Sequence, residues 1–309
     1  MKKYFTCPDG GQTEIKSCLD GNCRMGSRCA PLPFLIHAGE WREYKGHLSV
    51  TRCLLGTREF YLQNTIDFAI KPASEVWAIL GGEAHEVLEK KDNGLFKTEL
   101  YMQYEGISGM TDLVELQPNG ERWLIDHKYV GSFAVSLALG IKYACMVDVL
   151  DSNGNQIIGQ RGKYAGQPKK KKSFQLYPKQ ADTWKYSMQL GMYALAYEDM
   201  HPGQHIDRLM VFFVPRDGGL QIARERGITE NMYYVEIPRL SDEIVLDYFE
   251  RKRIAGEEAM ANKRLPPVCN SVESWDGRKC QQYCDVKEAC AKIGDNPHPG
   301  GTDSELSNF

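Results

Sequence analysis

The chain has 309 residues, of which 42% are hydrophobic and 26% charged, and its net charge is only -3. That length can bury a substantial core in one large domain or two small ones. The balanced charge excludes a strong global field for polyanions, so any nucleic-acid binding has to come from local basic patches.

The opening MKKYFTCPDGGQ lacks the apolar region of an export signal. Residues 1 to about 40 are rich in cysteine, glycine and polar residues, with few apolar positions from which to build a core. LSVTRCLLGTREFYLQNT, from Leu48, reads as a helix capped by Ser49 or Thr51. PASEVWAILGGEAHEVLEK reads as a second helix, over 72–90, with proline in its first turn. Three strands follow, TELYMQY, GMTDLVELQ and RWLIDHKYV, separated by turns at Glu105-Gly106 and Pro118-Asn119-Gly120.

The apolar run from Ser132, SFAVSLALGIKYACMVDVL, contains Lys142 and Asp148, which favours a buried strand or helix over a membrane span. Residues 131–181 have no clean period apart from a hairpin around DSNGNQ and a lysine run, Lys169, Lys170, Lys171 and Lys172. TWKYSMQLGMYALAYEDM is helical by period, DRLMVFFVP and MYYVEIPRL read as strands, and residues 241–263 form a long helix. The tail from Gly294 reads as disordered. The sum is an α/β protein with a mixed sheet flanked by helices, expected to be soluble and cytoplasmic.

The strands hold residues that a core does not want. Asp126 and Lys128 share one face of their strand while His127 points to the other. Asp112 lies on the neighbouring strand and can reach the same patch. Converging carboxylates repel unless a cation lies between them, and oxygen ligands suit Mg²⁺ or Mn²⁺. A lysine beside such an ion can orient an attacking water and neutralise charge on a phosphate.

Gly109-Met110-Thr111-Asp112, followed by Ile125-Asp126-His127-Lys128, resembles the G-x-x-D … (D/E)-x-K signature of the PD-(D/E)XK nucleases. His85 on the upstream helix, and Gln189 and Tyr193 four residues apart on a downstream helix, are similar to the additions of the RecB-type branch. The resemblance runs over roughly residues 48–290 and implies a restriction-endonuclease-like fold. It further implies that His85, Asp112, Asp126 and the His127 carbonyl hold the catalytic metal, that Lys128 positions the water, and that Gln189 and Tyr193 steady the site. Many members carry glutamate where this chain has Asp126. Glu99 on the preceding strand is a further carboxylate that either supports the site or faces solvent.

The cysteines divide into two groups. Cys280, Cys284 and Cys290 resemble the C-terminal trio of iron–sulfur RecB-type nucleases, among them the CRISPR-adaptation exonucleases and AddB-type helicase–nucleases. That resemblance makes Cys53 the fourth ligand of a [4Fe–4S] cluster; zinc, or Cys269 in place of one ligand, stays open. Cys7, Cys18, Cys23 and Cys29 match no tight zinc-finger spacing, and a zinc site, a second cluster or free thiols are the alternatives. Cys145, within an apolar run, reads as an inert core thiol.

The organisation expected is a Cys-rich segment over 1–40, a nuclease core over 41–267 with the insertion 131–181, a cluster lobe over 268–292 and a tail over 293–309. DNA is the expected partner, gripped by the lysine run with Arg52 and Arg58 as further contacts. Tyr129, Phe133, Trp184 and Tyr186 are candidates for stacking on unpaired bases. Recombination or CRISPR-adaptation proteins are further partners that the resemblance suggests. Three activities fit: an exonuclease on single-stranded ends, a site- or structure-specific endonuclease, and a nucleic-acid-end-binding protein without chemistry. Retention of His85, Asp112, Asp126 and Lys128 argues against the last.

Overall fold

The computed structural model describes residues 1–89, 96–162, 165–177 and 180–294. It is a mixed α/β protein whose sheets are flanked by helices. The chain opens with β1 (Lys2–Thr6), β2 (Gln12–Glu14), α1 (Ile15–Leu19) and α2 (Leu32–Gly39). The expected single helix from Leu48 is two, α3 (Val50–Cys53) and α4 (Thr57–Thr65). Ser49 caps α3 by accepting from the Arg52 N–H, and Gly56 stands at the N-terminus of α4 in an extended conformation. Then come β3 (Phe68–Ile70), a 3₁₀ turn (Pro72–Glu75) and α5 (Val76–Glu89).

The three strands read from the sequence are β4 (Phe96–Tyr104), β5 (Ile107–Leu116) and β6 (Arg122–Val130). The region that had no clear period supplies α6 (Ser132–Ala138), β7 (Ile141–Asp148) and β8 (Lys170–Leu176). These two strands form their own antiparallel pair, so most of the lysine run is strand and not loop. The remainder is α7 (Trp184–Met200), β9 (Arg208–Pro215), α8 (Gln221–Glu225), β10 (Tyr233–Ile237) and α9 (Asp242–Ala261), followed by α10 (Ser271–Ser274), α11 (Arg278–Gln282) and α12 (Lys287–Ile293). The tail expected to be disordered lies, from residue 295 on, outside the described residues, as do the side chains of Cys145 and Lys172.

The main sheet has the order β10-β9-β6-β5-β4. β6 and β9 pair in parallel, which places β6 at the centre, while the other pairings are antiparallel. β6 therefore carries Leu124 and Ile125, both buried, as a central strand requires. α7 and α9 pack over the sheet through Met188, Met192, Tyr197, Val245 and Phe249, all buried in one cluster. Gly191 makes the crossing close: a Cβ there would stand 3.0 Å from the Val245 side chain.

A second core lies under the N-terminal segment, contrary to the expectation that it has too few apolar positions. Phe5, Ile15, Cys18, Leu35 and Ala38 pack with Leu62, Phe68, Ile70 and Val286. Its sheet, β2-β1-β3, is completed by β3 from beyond residue 40. Partners from α4, β3 and the C-terminal segment supply what the first forty residues lack. No helix among the described residues is long and apolar enough to cross a membrane.

Candidate active site

Register assembles the site. β4 and β5 pair Thr98 with Leu113 and Leu100 with Thr111, which leaves Glu99 opposite Asp112. β5 and β6 pair down to Leu113 and Ile125, and the next step in that register places Asp112 opposite Asp126. Glu99, Asp112 and Asp126 thus form a row across three adjacent strands, where the β4–β5 ladder skips a pair and the β5–β6 ladder ends. Glu99 has φ 49°, a left-handed conformation that a non-glycine residue holds at a cost of order 1–3 kcal/mol and that clusters at functional sites. The Asp112 carboxylate reaches between the strands and accepts the His127 N–H at 2.7 Å.

The row divides into two environments. Asp126 is buried, its Oδ2 lies 2.5 Å from Lys128 Nζ, and its Oδ1 accepts from Gln189 Nε2 at 3.3 Å. Burial pushes Asp126 up, against the pull of Lys128. The Asp126 and Asp112 charges outweigh the burial of Lys128 and hold its ammonium above the ordinary range. We read the couple as an ion pair, because the two groups are in contact.

At the other end of the row, His85 Nδ1 lies 3.7 Å from both Glu99 Oε1 and Asp112 Oδ1. His85, Asp112 and His127 each present a ligand atom, all within 4.8 Å of one another. Beside the carbonyl expected of it, His127 thus offers its imidazole, which faces His85 with ring centroids 5.7 Å apart. Burial, then His85, pulls that imidazole down to about 4, so it is a neutral ring with a free lone pair at neutral pH. Asp126, expected in the metal set, is turned to Lys128 and lies outside this group. Two imidazoles with carboxylates fit a divalent ion by donor chemistry, and nitrogen donors favour Mn²⁺ over Mg²⁺.

α7 holds the row in place. Gln189 and Tyr193 share one helix face. Gln189 reaches Asp126, and its Nε2 lies 3.5 Å from the Tyr193 hydroxyl. The Tyr193 ring lies over Gly109, where a Cβ would stand 2.4 Å from the ring. Glycine three residues before Asp112 is thus the space that the tyrosine fills. Lys185 was missed from the sequence, although it lies four residues before Gln189 on the same face. The residue is exposed, yet desolvation by surrounding protein atoms, then Lys279 and Lys128, holds its ammonium below the ordinary lysine range. It stands at the junction between the Asp126–Lys128 pair and the C-terminal lobe.

The basic and aromatic candidates scatter. Arg58 is buried, with 2% of its surface exposed, and donates to the Gly294 carbonyl, so it is a packing residue and not a phosphate contact. Arg52 is half-buried and donates to the Arg42 carbonyl. Lys169, Lys170 and Lys171 are exposed, and Lys170 stands 4.0 Å from Asp148. Trp184 packs on Tyr248 and Tyr186 on Phe213, which makes both structural. Tyr129 lies beside His85, and Phe133 is exposed under the Arg278 and Arg226 guanidinium groups.

The C-terminal cysteines meet different neighbours from those expected. Cys53 is wholly buried in the main core; burial pushes its thiol up to about 12, and its charged neighbours are Lys252, Glu257 and Arg253. Cys269 occupies the space left by Gly56, where a Cβ would stand 2.3 Å from its sulfur. Burial pushes the Cys269 thiol up to about 11, with Glu273, Glu59 and Cys280 nearby and the Glu59 N–H donating to it. Cys284, raised by burial to about 12, shares Glu59 and Cys280 as neighbours. Cys284 and Cys290 both pack against the second core. The lobe is fastened by a buried Lys279–Glu59 ion pair and by Lys252, which reaches Glu273, the Leu55 carbonyl and Thr57.

No protein-family model and no curated protein sequence matches the chain. It is similar to a crystal structure of SSO0001 at 14% identity and TM-score 0.41, over 84% of this chain and 92% of that one. A likeness this distant carries no inference about fold or function.

Proposed function

We propose that this protein is a metal-dependent DNA nuclease of the PD-(D/E)XK type, acting as an exonuclease on single-stranded ends. The observation that supports it best is the Glu99–Asp112–Asp126 row, with Lys128 against Asp126 at one end and His85 and His127 beside Asp112 and Glu99 at the other. A structural salt bridge needs neither the second and third carboxylates nor the strained Glu99. His85, Asp112 and His127, with Glu99 beside them, are the residues that would hold Mn²⁺ or Mg²⁺. Such an ion, when bound, polarises the phosphate and lowers the pKa of an attacking water.

The chain's own groups do the rest. Lys128 stands where it can orient the water and balance charge growing on the phosphate. Asp126 keeps Lys128 charged and in place, and Gln189 fixes Asp126. Lys185, within electrostatic reach of Lys128 and Asp126, would offer a cation to a flanking phosphate. Cysteines of the C-terminal lobe would hold a [4Fe–4S] cluster that fastens this lobe to α4, a reading supported by Cys280 lying within electrostatic reach of both Cys269 and Cys284, with Cys269 in place of Cys53.

The test is hydrolysis of end-labelled linear and circular single-stranded DNA, resolved by product length. Degradation of the linear strand with Mn²⁺, a circle left intact and complete arrest by EDTA are expected. Cleavage of the circle would replace the exonuclease reading with an endonuclease. Binding to ends without hydrolysis under any divalent ion would leave an end-binding protein.

A further inference from the structure

Nothing in the proposed catalysis uses the four N-terminal thiols. Cys7 opens the turn from β1 to β2, its carbonyl accepting the Gly10 N–H at 2.9 Å. Cys18 lies in α1, and its carbonyl accepts from Gly21 at 3.3 Å. Cys23 opens another turn, its carbonyl accepting the Gly26 N–H at 3.1 Å and its thiol donating to the Ser27 carbonyl at 3.0 Å. Cys29 follows that turn. All four line one cavity, together with Phe5 and Met25, and none of the four is in a disulfide.

Two turns and the helix α1 therefore bring four cysteines, spread over residues 7–29, around one cavity. Cys18 forms the floor, buried at 6% exposure. Its thiol is raised by burial and then by Cys23, Cys29 and Cys7, so all three lie within electrostatic reach. Four sulfurs lining one cavity are a donor set for a soft cation, which binds thiols as thiolates and displaces their protons.

We propose that Cys7, Cys18, Cys23 and Cys29 hold one tetrathiolate metal centre, separate from both the catalytic ion and the C-terminal cysteines. Zinc and an iron–sulfur cluster share this chemistry. No three of the sulfurs lie within 4.8 Å of one another, whereas the edge of a zinc tetrathiolate with ~2.3 Å bonds is ~3.8 Å. Zinc would draw the Cys7 and Cys23 turns inward, and both turn on a glycine at positive φ, Gly10 at 83° and Gly26 at 78°. A cluster needs less contraction. In either case the centre closes the loops over the second core, into which Cys284, Cys290 and Val286 also pack, and so ties the two ends of the chain together.

Metal content of the full-length protein, purified without oxygen, tests this independently of any nuclease activity. The Cys280→Ala/Cys284→Ala protein should retain one zinc per chain, or the iron and sulfide of one cluster with its absorption near 400 nm. Cys18→Ser/Cys29→Ser should lose that centre and keep the C-terminal one. If the double serine variant does not fold, thiol titration of the wild type decides. Mercurial displacement should release metal as the N-terminal thiols, located by peptide mapping, react. Immediate reaction of all four thiols in the as-purified protein, or metal content unchanged in Cys18→Ser/Cys29→Ser, would overturn the proposal.

Discussion

Glu99 shows most sharply how single residues are committed to the site. It is a glutamate in a conformation that glycine prefers, and it places a carboxylate 3.7 Å from His85. Glu99→Gly should relieve the strained φ, so the variant should melt no lower than the wild type even though glycine adds chain entropy of about 0.5–1 kcal/mol. Mn²⁺ should bind it more weakly. Thermal unfolding with a Mn²⁺ titration checks both signs, and a lower melting temperature with unchanged Mn²⁺ binding would show that Glu99 serves the fold alone. The role of Glu99 was hard to read from sequence because it depends on register, which adjacent letters do not fix. Asp112, Asp126 and Lys128 were legible because strand alternation and one turn suffice to bring them together. For His127, alternation turned it away from Lys128, but could not show that α5 meets its ring there with His85.

Among the elements, α4 and α7 each join two parts of the molecule. α7 was readable from its helical period and from Gln189 and Tyr193. Lys185 was available from the same four-residue spacing. The N-terminus of α4 was not, since Gly56 and Cys269 meet only when the C-terminal lobe folds back. The account predicts that Cys269→Ala loses most iron from the C-terminal lobe while Cys53→Ala retains it. Iron analysis of the two variants decides, and the reverse pattern would restore Cys53 as the ligand. At the β7–β8 pair, Lys169, Lys170 and Lys171 are exposed together. Replacing the three with alanine should weaken DNA binding and flatten the dependence of log affinity on log salt, by about 0.7 for each single-strand phosphate that is no longer neutralised. Fluorescence anisotropy at several salt concentrations measures this, and an unchanged slope would make the strand a solvated surface.

At the scale of the whole molecule, two cores share one chain. The larger supports the sheet and the acidic row; the smaller joins β1, α1 and α2 to α4, β3 and Val286. The larger was legible from periodicity, since its strands and helices each carry their own apolar pattern. The smaller was not, because half of its apolar residues come from outside the first forty. Both cores lie clear of Lys128, whose side chain touches the site and not the packing. Even so, Lys128→Ala leaves buried Asp126 without its partner, so the variant should melt lower than the wild type and lose activity by about 10²–10⁴-fold. The most direct test of the nuclease assignment is single-turnover hydrolysis of a linear single strand by wild type and Lys128→Ala with Mn²⁺, at equal saturation with DNA. The account predicts cleavage by the wild type and loss of that magnitude in the variant, with DNA binding preserved. Equal rates in the two proteins, with contaminating nucleases excluded, would contradict it.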